Sequence, residues 1–281
     1  MYFKKQQFMR LLLHLFIIAL GIVMIYPVIW MISGSMKNNT EILNDALNLV
    51  PPHWRFDNFV TGWKGFGGIN FGTFITNSLI ITVLSTLGTT LSSACVAYAF
   101  TRIKFRGRSA LFVIMLATMM IPAQVIMIPQ YIIWNQLGFV GSYVPLILPH
   151  FFGVAFFIYQ MMQFMVGIPV ELDESAYMDG ASKYTIFTKI IMPLLKPSII
   201  TTIIIQFYWK WDDFMGPLIY LNKPTSYTVS LALKMFADSS SRTDFGAMFA
   251  MSTLSLLPVF LIFLFFNKYL VEGISTSGMK A

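Results

Sequence analysis

The run LLLHLFIIALGIVMIYPVIWMI, residues 11–32, contains no Asp, Glu, Lys or Arg. A hydrocarbon core about 30 Å thick takes roughly 20 apolar residues in a helix rising 1.5 Å per residue, so this run is long enough to cross a bilayer. It is continuously apolar, without the ten-residue alternation of a barrel strand. Lipid offers backbone groups no partner, so a continuous run must satisfy them internally as a helix. The fold class follows from that reading: all-α, in a membrane.

Working outward, five further runs have the same character: Ile75 to Phe100, Ala110 to Trp134, Tyr143 to Met165, Ser198 to Leu221 and Ala247 to Phe266. Composition agrees, with 57% hydrophobic and 11% charged residues and a mean hydropathy of +0.70. The expectation is one membrane domain over residues 1–281 with six transmembrane helices. The first run is too long, and lacks the small-residue cleavage site, for a removable signal peptide, and reads as a retained span. The single cysteine, Cys95, falls inside the second span and excludes an intramolecular disulfide.

Basic residues orient the spans. With the N-terminus inside, Lys4, Lys5, Arg10, Arg102, Lys104, Arg106, Arg108, Lys183, Lys189, Lys196, Lys268 and Lys280 are cytoplasmic, against Lys37, Arg55, Lys64, Lys223, Lys234 and Arg242 outside. This bias places both termini in the cytoplasm. The net charge of +7 flanks the spans, which points to topology and anionic headgroups rather than nucleic acid. The outer loop, Ser33 to Gly72, with Pro51, Pro52 and the glycines of GWKGFGG, reads as a packed cap on the outer face.

The cytoplasmic loop 166–197 is too long and too polar for a turn between spans. Its core, VELDESAYMDGASKYTIFTKIIMPLLKPS, reads as two short helices. Pro169 suits a first helical turn, and Glu171, Asp173 and Glu174 place negative charge at the positive end of a helix dipole. Gly180 is a natural stop, and a second helix runs from Lys183 through Lys189 toward Pro193. Ala176 and Gly180, four apart with little bulk, would let another protein's backbone approach closely.

The chain carries no Gly-x-x-x-x-Gly-Lys-Ser/Thr loop, no His-Glu-x-x-His and no Gly-x-Ser-x-Gly, and His14, His53 and His150 are far apart in sequence. No catalytic set, metal site or bound cofactor is expected. Energy from ATP would come from another subunit. His150 is expected to be a hydrogen-bonded structural residue. One polar cluster lies among aromatic residues at the end of the fifth run, where Lys210, Asp212 and Asp213 either line a wet path or sit at the interface with Lys210 snorkelling.

Loop 166–197 resembles the cytoplasmic EAA loop of permease subunits in binding-protein-dependent ABC importers. Glu174, Ser175 and Ala176 match the opening triplet, Gly180 the glycine, and Ile190 and Pro193 the close, with Ser175 and Met192 departing from the pattern. YPVIWMISGSMK, AYAFTRIKFRG, MIPAQVIMIPQY, WDDFMGPLIYL and NKYLVEGISTSGMKA resemble segments of the carbohydrate branch, in the same order. The resemblance implies a sugar or oligosaccharide importer permease that pairs with a second related permease, two ATP-binding subunits that hold ATP and Mg, and an extracytoplasmic sugar-binding protein. It implies that Glu174, Ser175, Ala176, Asp179 and Gly180 dock on the ATPase. The tail Ser275, Thr276, Ser277 and Gly278 would reach between the ATPase subunits, and Trp211, Asp212, Asp213 and Phe214 would meet substrate. The alternative reading is a proton-coupled carrier using Lys210, Asp212 and Asp213.

Overall fold

In the computed structural model, residues 2–45, 47–236 and 244–278 are described, with side chains described from 7 to 268 within those ranges. Apart from one isolated bridge between Phe66 and Ile69, the regular structure of the described residues is helical. Four helices are long and apolar enough to cross a membrane: Gln7–Gly34, Phe71–Arg102, Val144–Val166 and Phe245–Lys268. Two bent pairs bring the number to six if each is one span: Arg108–Met119 with Ala123–Gln136, and Lys183–Leu194 with Lys196–Trp211.

The two pairs correct the sequence reading. The expected continuous span 110–134 is broken between Met119 and Ala123, where the axis turns by 101°. Pro122 accounts for the break: it has no N–H to donate and pushes Ile121 away from helical backbone. The expected span 198–221 is instead a helix Lys196–Trp211 that stops at Asp212, followed by a separate helix Met215–Tyr220. At its other end this helix meets the loop at a 73° bend between Pro193 and Pro197.

The chain forms two compact units, Met1–Gly72 with Leu233–Leu257, and Thr73–Ala232 with Pro258–Ala281. In the first, the expected cap is held by side-chain amides. Buried Asn58 donates to the carbonyls of Ser35 at 2.9 Å and Lys37 at 2.8 Å. Asn39 Oδ1 accepts from Phe245 N at 2.9 Å, and Asn38 and Glu41 form a reciprocal capping box on the helix Asn39–Asn44. Gly246 is required by this packing, because a Cβ there would lie 2.5 Å from Asn58 Nδ2.

The second unit is organised by the helix Phe71–Arg102. Ser78, Thr82, Ser85, Thr89 and Ser93 recur every three or four residues and are all buried, a small polar stripe of the kind that lets membrane helices approach closely. Against it lies a helix that is itself irregular: Val144–Ile147 passes into a 3-10 turn, Leu148–Phe152, and Gly153 at φ +86 precedes the helix Ala155–Val166. The stripe and the adjacent Ser92 supply partners to the backbone where the helix breaks. Ser85 donates to the Leu146 carbonyl at 3.1 Å, Ser92 to the His150 carbonyl at 3.2 Å, and Ser93 Oγ accepts from Val154 N at 3.3 Å. Non-helical backbone at membrane depth needs such partners.

Hydroxyl bonds between membrane helices contribute about 0.6 kcal/mol each on average, with a maximum of about 1.7. Replacing both Ser85 and Ser93 with Ala should therefore lower the thermal midpoint in detergent by the equivalent of about 1–2 kcal/mol. Ser→Ala changes on the exposed face of another helix should leave it unmoved. Equal effects at the two places would contradict the account of the break.

Candidate functional site

The loop 166–197 folds as two helices around a glycine turn. The first, Glu171–Met178, carries Glu171, Asp173 and Glu174 in its first turn. Pro169 lies just before this helix, next to Val170, whose backbone is already helical at φ -71 and ψ -24. The helix ends as Gly180 indicates: with φ at +82, Gly180 N donates to the Tyr177 carbonyl at 3.0 Å and Ala181 N to the Ala176 carbonyl at 2.9 Å. These are the two bonds of a Schellman cap. Ser182 then caps the second helix, its Oγ accepting from Thr185 N at 3.1 Å. Between Phe187 and Ile191 that helix widens into a π turn, which accommodates the ring and missing N–H of Pro193.

The loop is packed onto the membrane bundle. Ile186, Ile191 and Leu195 are buried with Ala94, Ala97 and Met165, and the Tyr98 ring lies 5.0 Å from that of Phe187. Ala176 belongs to this inward face, packed on the same cluster, so its small size serves the protein's own core. Gly180 is open, with nothing within 4 Å of where a Cβ would stand. Glu174, Ser175 and Asp179 are exposed, and so are Tyr177, Met178 (84%) and Tyr184 (76%), three large side chains that the sequence reading did not single out. A cavity of about 460 Å³ opens beside them, lined by Tyr98, Arg102, Asp173, Tyr177 and Met178 among others.

Arg102, counted in the sequence only as a cytoplasmic charge, is the other residue that sequence reasoning missed. Its side chain is 8% exposed. Nη2 donates to the carbonyls of Met165 at 3.2 Å and Ile168 at 2.6 Å, and Nε lies 3.2 Å from Asp173 Oδ2. The last contact is an ion pair without hydrogen-bond alignment: Nε and Asp173 Oδ1 both lack a hydrogen-bond partner. Burial pushes the Asp173 carboxyl above its ordinary value, opposed by Arg102 and reinforced by Glu174. Such a pair contributes little net stability, because desolvation offsets attraction.

The cluster at 210–214 separates into unlike parts. Lys210 Nζ pairs with Asp213 Oδ2 at 2.9 Å, Asp213 Oδ1 accepts from Gly216 N at 3.0 Å, and Ser230 Oγ donates to the Asp213 carbonyl at 2.7 Å. Asp213 thus caps the start of the helix Met215–Tyr220. Asp212 is exposed. Trp211 is buried at 6% and stacks on Phe207, 5.9 Å between centroids, while Phe214 is half-buried. His150 is hydrogen-bonded as expected, its Nδ1 lying 3.2 Å from both Thr89 Oγ1 and Gln206 Nε2. Ser275, Thr276, Ser277 and Gly278 continue the helix Phe245–Gly278 by backbone, and their side chains lie outside the described ones.

Residues 88–276 match the family described as binding-protein-dependent transport system inner membrane component. The chain is similar to the arabinooligosaccharides transport system permease protein AraQ of Bacillus subtilis, at 34% identity over 96% of each chain. It is also similar to the probable ABC transporter permease protein YurM of the same organism, at 33% identity over 95% of this chain and 86% of YurM. The trehalose/maltose transport system permease protein MalG of Thermococcus litoralis is 28% identical over 99% of each chain. Among solved structures, a chain of a bacterial ABC transporter involved in the import of the acidic polysaccharide alginate superposes with a TM-score of 0.83. The two are 21% identical, covering 94% of this chain and 97% of the other, a likeness of fold.

Two outcomes test the site's local physics. Gly180→Ala should loosen the turn by about 1 kcal/mol through backbone strain alone, and Gly180→Asn by less, because Asn tolerates positive φ. Hydrogen exchange at the Gly180 and Ala181 amides reads this, and Ala behaving like Gly would contradict it. Lys210→Met, which leaves Asp213 without its cation, should lower the thermal midpoint by the equivalent of about 1–3 kcal/mol. Asp213→Asn, still able to accept from Gly216 N, should cost less, and the reverse order would contradict the capping role.

Proposed function

Because the chain belongs to the family of inner membrane components of binding-protein-dependent transport systems, we propose that it forms half of the translocation path of a carbohydrate importer. It is a multi-pass cell-membrane permease subunit of an ABC importer, without catalytic function, and the ATPase is a separate subunit. The finer reading is a single permease domain over residues 1–281 with six transmembrane helices, the two bent pairs each counting as one span. The termini and the loop 166–197 lie in the cytoplasm, in keeping with the distribution of basic residues. The substrate is a sugar or oligosaccharide, delivered by an extracytoplasmic binding protein. Support comes from the names of the relatives, which concern arabinooligosaccharides and trehalose or maltose.

In this reading the loop 166–197 is the joint to the ATPase. Glu174, Ser175, Asp179 and Gly180 offer the polar and open part of the docking face, Tyr177, Met178 and Tyr184 the apolar part, and Ala176 holds the helix to the bundle. The carrying observation is that large apolar side chains stand exposed on a loop otherwise clamped to the membrane helices. An exposed apolar patch fits a partner, and a packed interface transmits motion as a rigid body because it does not deform continuously. ATP and Mg stay on the partner ATPases, a second related permease completes the path, and Ser275 to Gly278 extend toward the ATPase pair. Trp211, Asp212, Asp213 and Phe214 border the path, where exposed Asp212 is the residue most available to a hydroxyl-rich ligand.

The proton-coupled carrier reading finds no support. The relatives are ABC permeases, and Asp213 is engaged by Lys210 and Gly216. Uptake of labelled oligosaccharide by the native cells should stop when ATP is depleted and persist with a protonophore while ATP is maintained. Uptake that survives ATP depletion and collapses with the protonophore would overturn the proposal.

A further inference from the structure

We infer that Arg102 is a positioning residue for coupling: it locks the joint through which movement of the helix Glu171–Met178 passes into the membrane bundle. The inference rests on the proposed role of loop 166–197. Three segments meet at this guanidinium. The helix Ala155–Val166 ends at Gly167, the short link Gly167–Val170 has no regular helix, and the helix Glu171–Met178 follows. Arg102 reaches from the last turn of a different helix, Phe71–Arg102, and contacts all three: Met165 O at 3.2 Å, Ile168 O at 2.6 Å and Asp173 Oδ2 at 3.2 Å.

Without such a contact, a push on the exposed helix would be absorbed by bending the link. With it, both sides of the link are tied to one rigid rod. The chemistry suits arginine, whose planar fork places several donors in fixed directions, whereas a lysine is a single charge on a flexible stem. Stability alone does not explain the arrangement, since a buried ion pair is often replaceable by apolar residues without loss. The two atoms left without hydrogen bonds, Arg102 Nε and Asp173 Oδ1, mark a pair held by its surroundings rather than relaxed to best alignment.

The test uses the whole transporter, purified with its associated subunits from its native cells and reconstituted with its binding protein in liposomes. The readout is sugar taken up per ATP hydrolysed. Arg102→Lys and Asp173→Asn should assemble with the same subunits and still hydrolyse ATP. Uptake per ATP should fall roughly fivefold or more, the low end of coupling between sites. The double variant should be no worse than the poorer single one, because both act through one contact. Unchanged uptake per ATP in either assembled variant overturns the inference. Loss of assembly in both, Asp173→Asn being nearly isosteric, assigns the pair to folding and overturns it as well. Failure of the underlying functional reading looks different: wild-type uptake would then proceed without ATP hydrolysis, whereas failure of the inference leaves the wild type coupled.

Discussion

Hydrocarbon has no hydrogen bonds to offer a peptide group, and this constraint governs the whole chain. Where the sequence is continuously apolar, as in Gln7–Gly34, the backbone satisfies itself within one helix. Where the helix is interrupted, a neighbour must supply the missing partners. On the helix Phe71–Arg102, Ser85, Ser92 and Ser93 do so for the irregular stretch 146–154, and the buried amide of Gln206 reaches His150 in the same region. Polar residues in this bundle are therefore first explained by irregular backbone, and only those left over become candidates for contact with a solute. Asp213, which caps a helix, belongs to the first class, while exposed Asp212 is left over.

The same economy of partners shapes the loop 166–197. Its two helices are short, and an isolated helix of that length does not hold in water. They persist because the ends that face one another are capped, by Gly180 and Ser182, and because one face is buried on Ala94, Ala97 and Met165. What remains on the other face is exposed, with Tyr177, Met178 and Tyr184 beside the polar Glu174, Ser175 and Asp179, on a support that is anchored. Arg102 ties the first of the two helices back across the link Gly167–Val170, so the loop is an extension of the bundle rather than a flexible connection.

Much of this was legible in the residues. Continuous apolar runs locate the long helices to within a few positions, because burial in lipid demands composition rather than pattern. The stop at Gly180 was legible since positive φ there requires glycine or a tolerant substitute. The 101° break at Met120 to Pro122 was not, because hydropathy does not change through a bend and proline is tolerated in membrane helices. The direction of Ala176 was likewise hidden: a helical wheel shows which residues share a face, not which face is covered. Arg102 was hidden for a third reason. Its partners are main-chain carbonyls and a carboxylate more than sixty residues away, and backbone acceptors leave no mark in a sequence.

The central claim is that this chain works as one permease of a larger assembly joined through its cytoplasmic loop. Its most direct test is the intact mass of the complex extracted from native cells in mild detergent, with each component identified. The account predicts two different permease chains, this one among them, together with two ATPase chains. A lone chain or a simple homo-oligomer, stable without any ATPase, would contradict it.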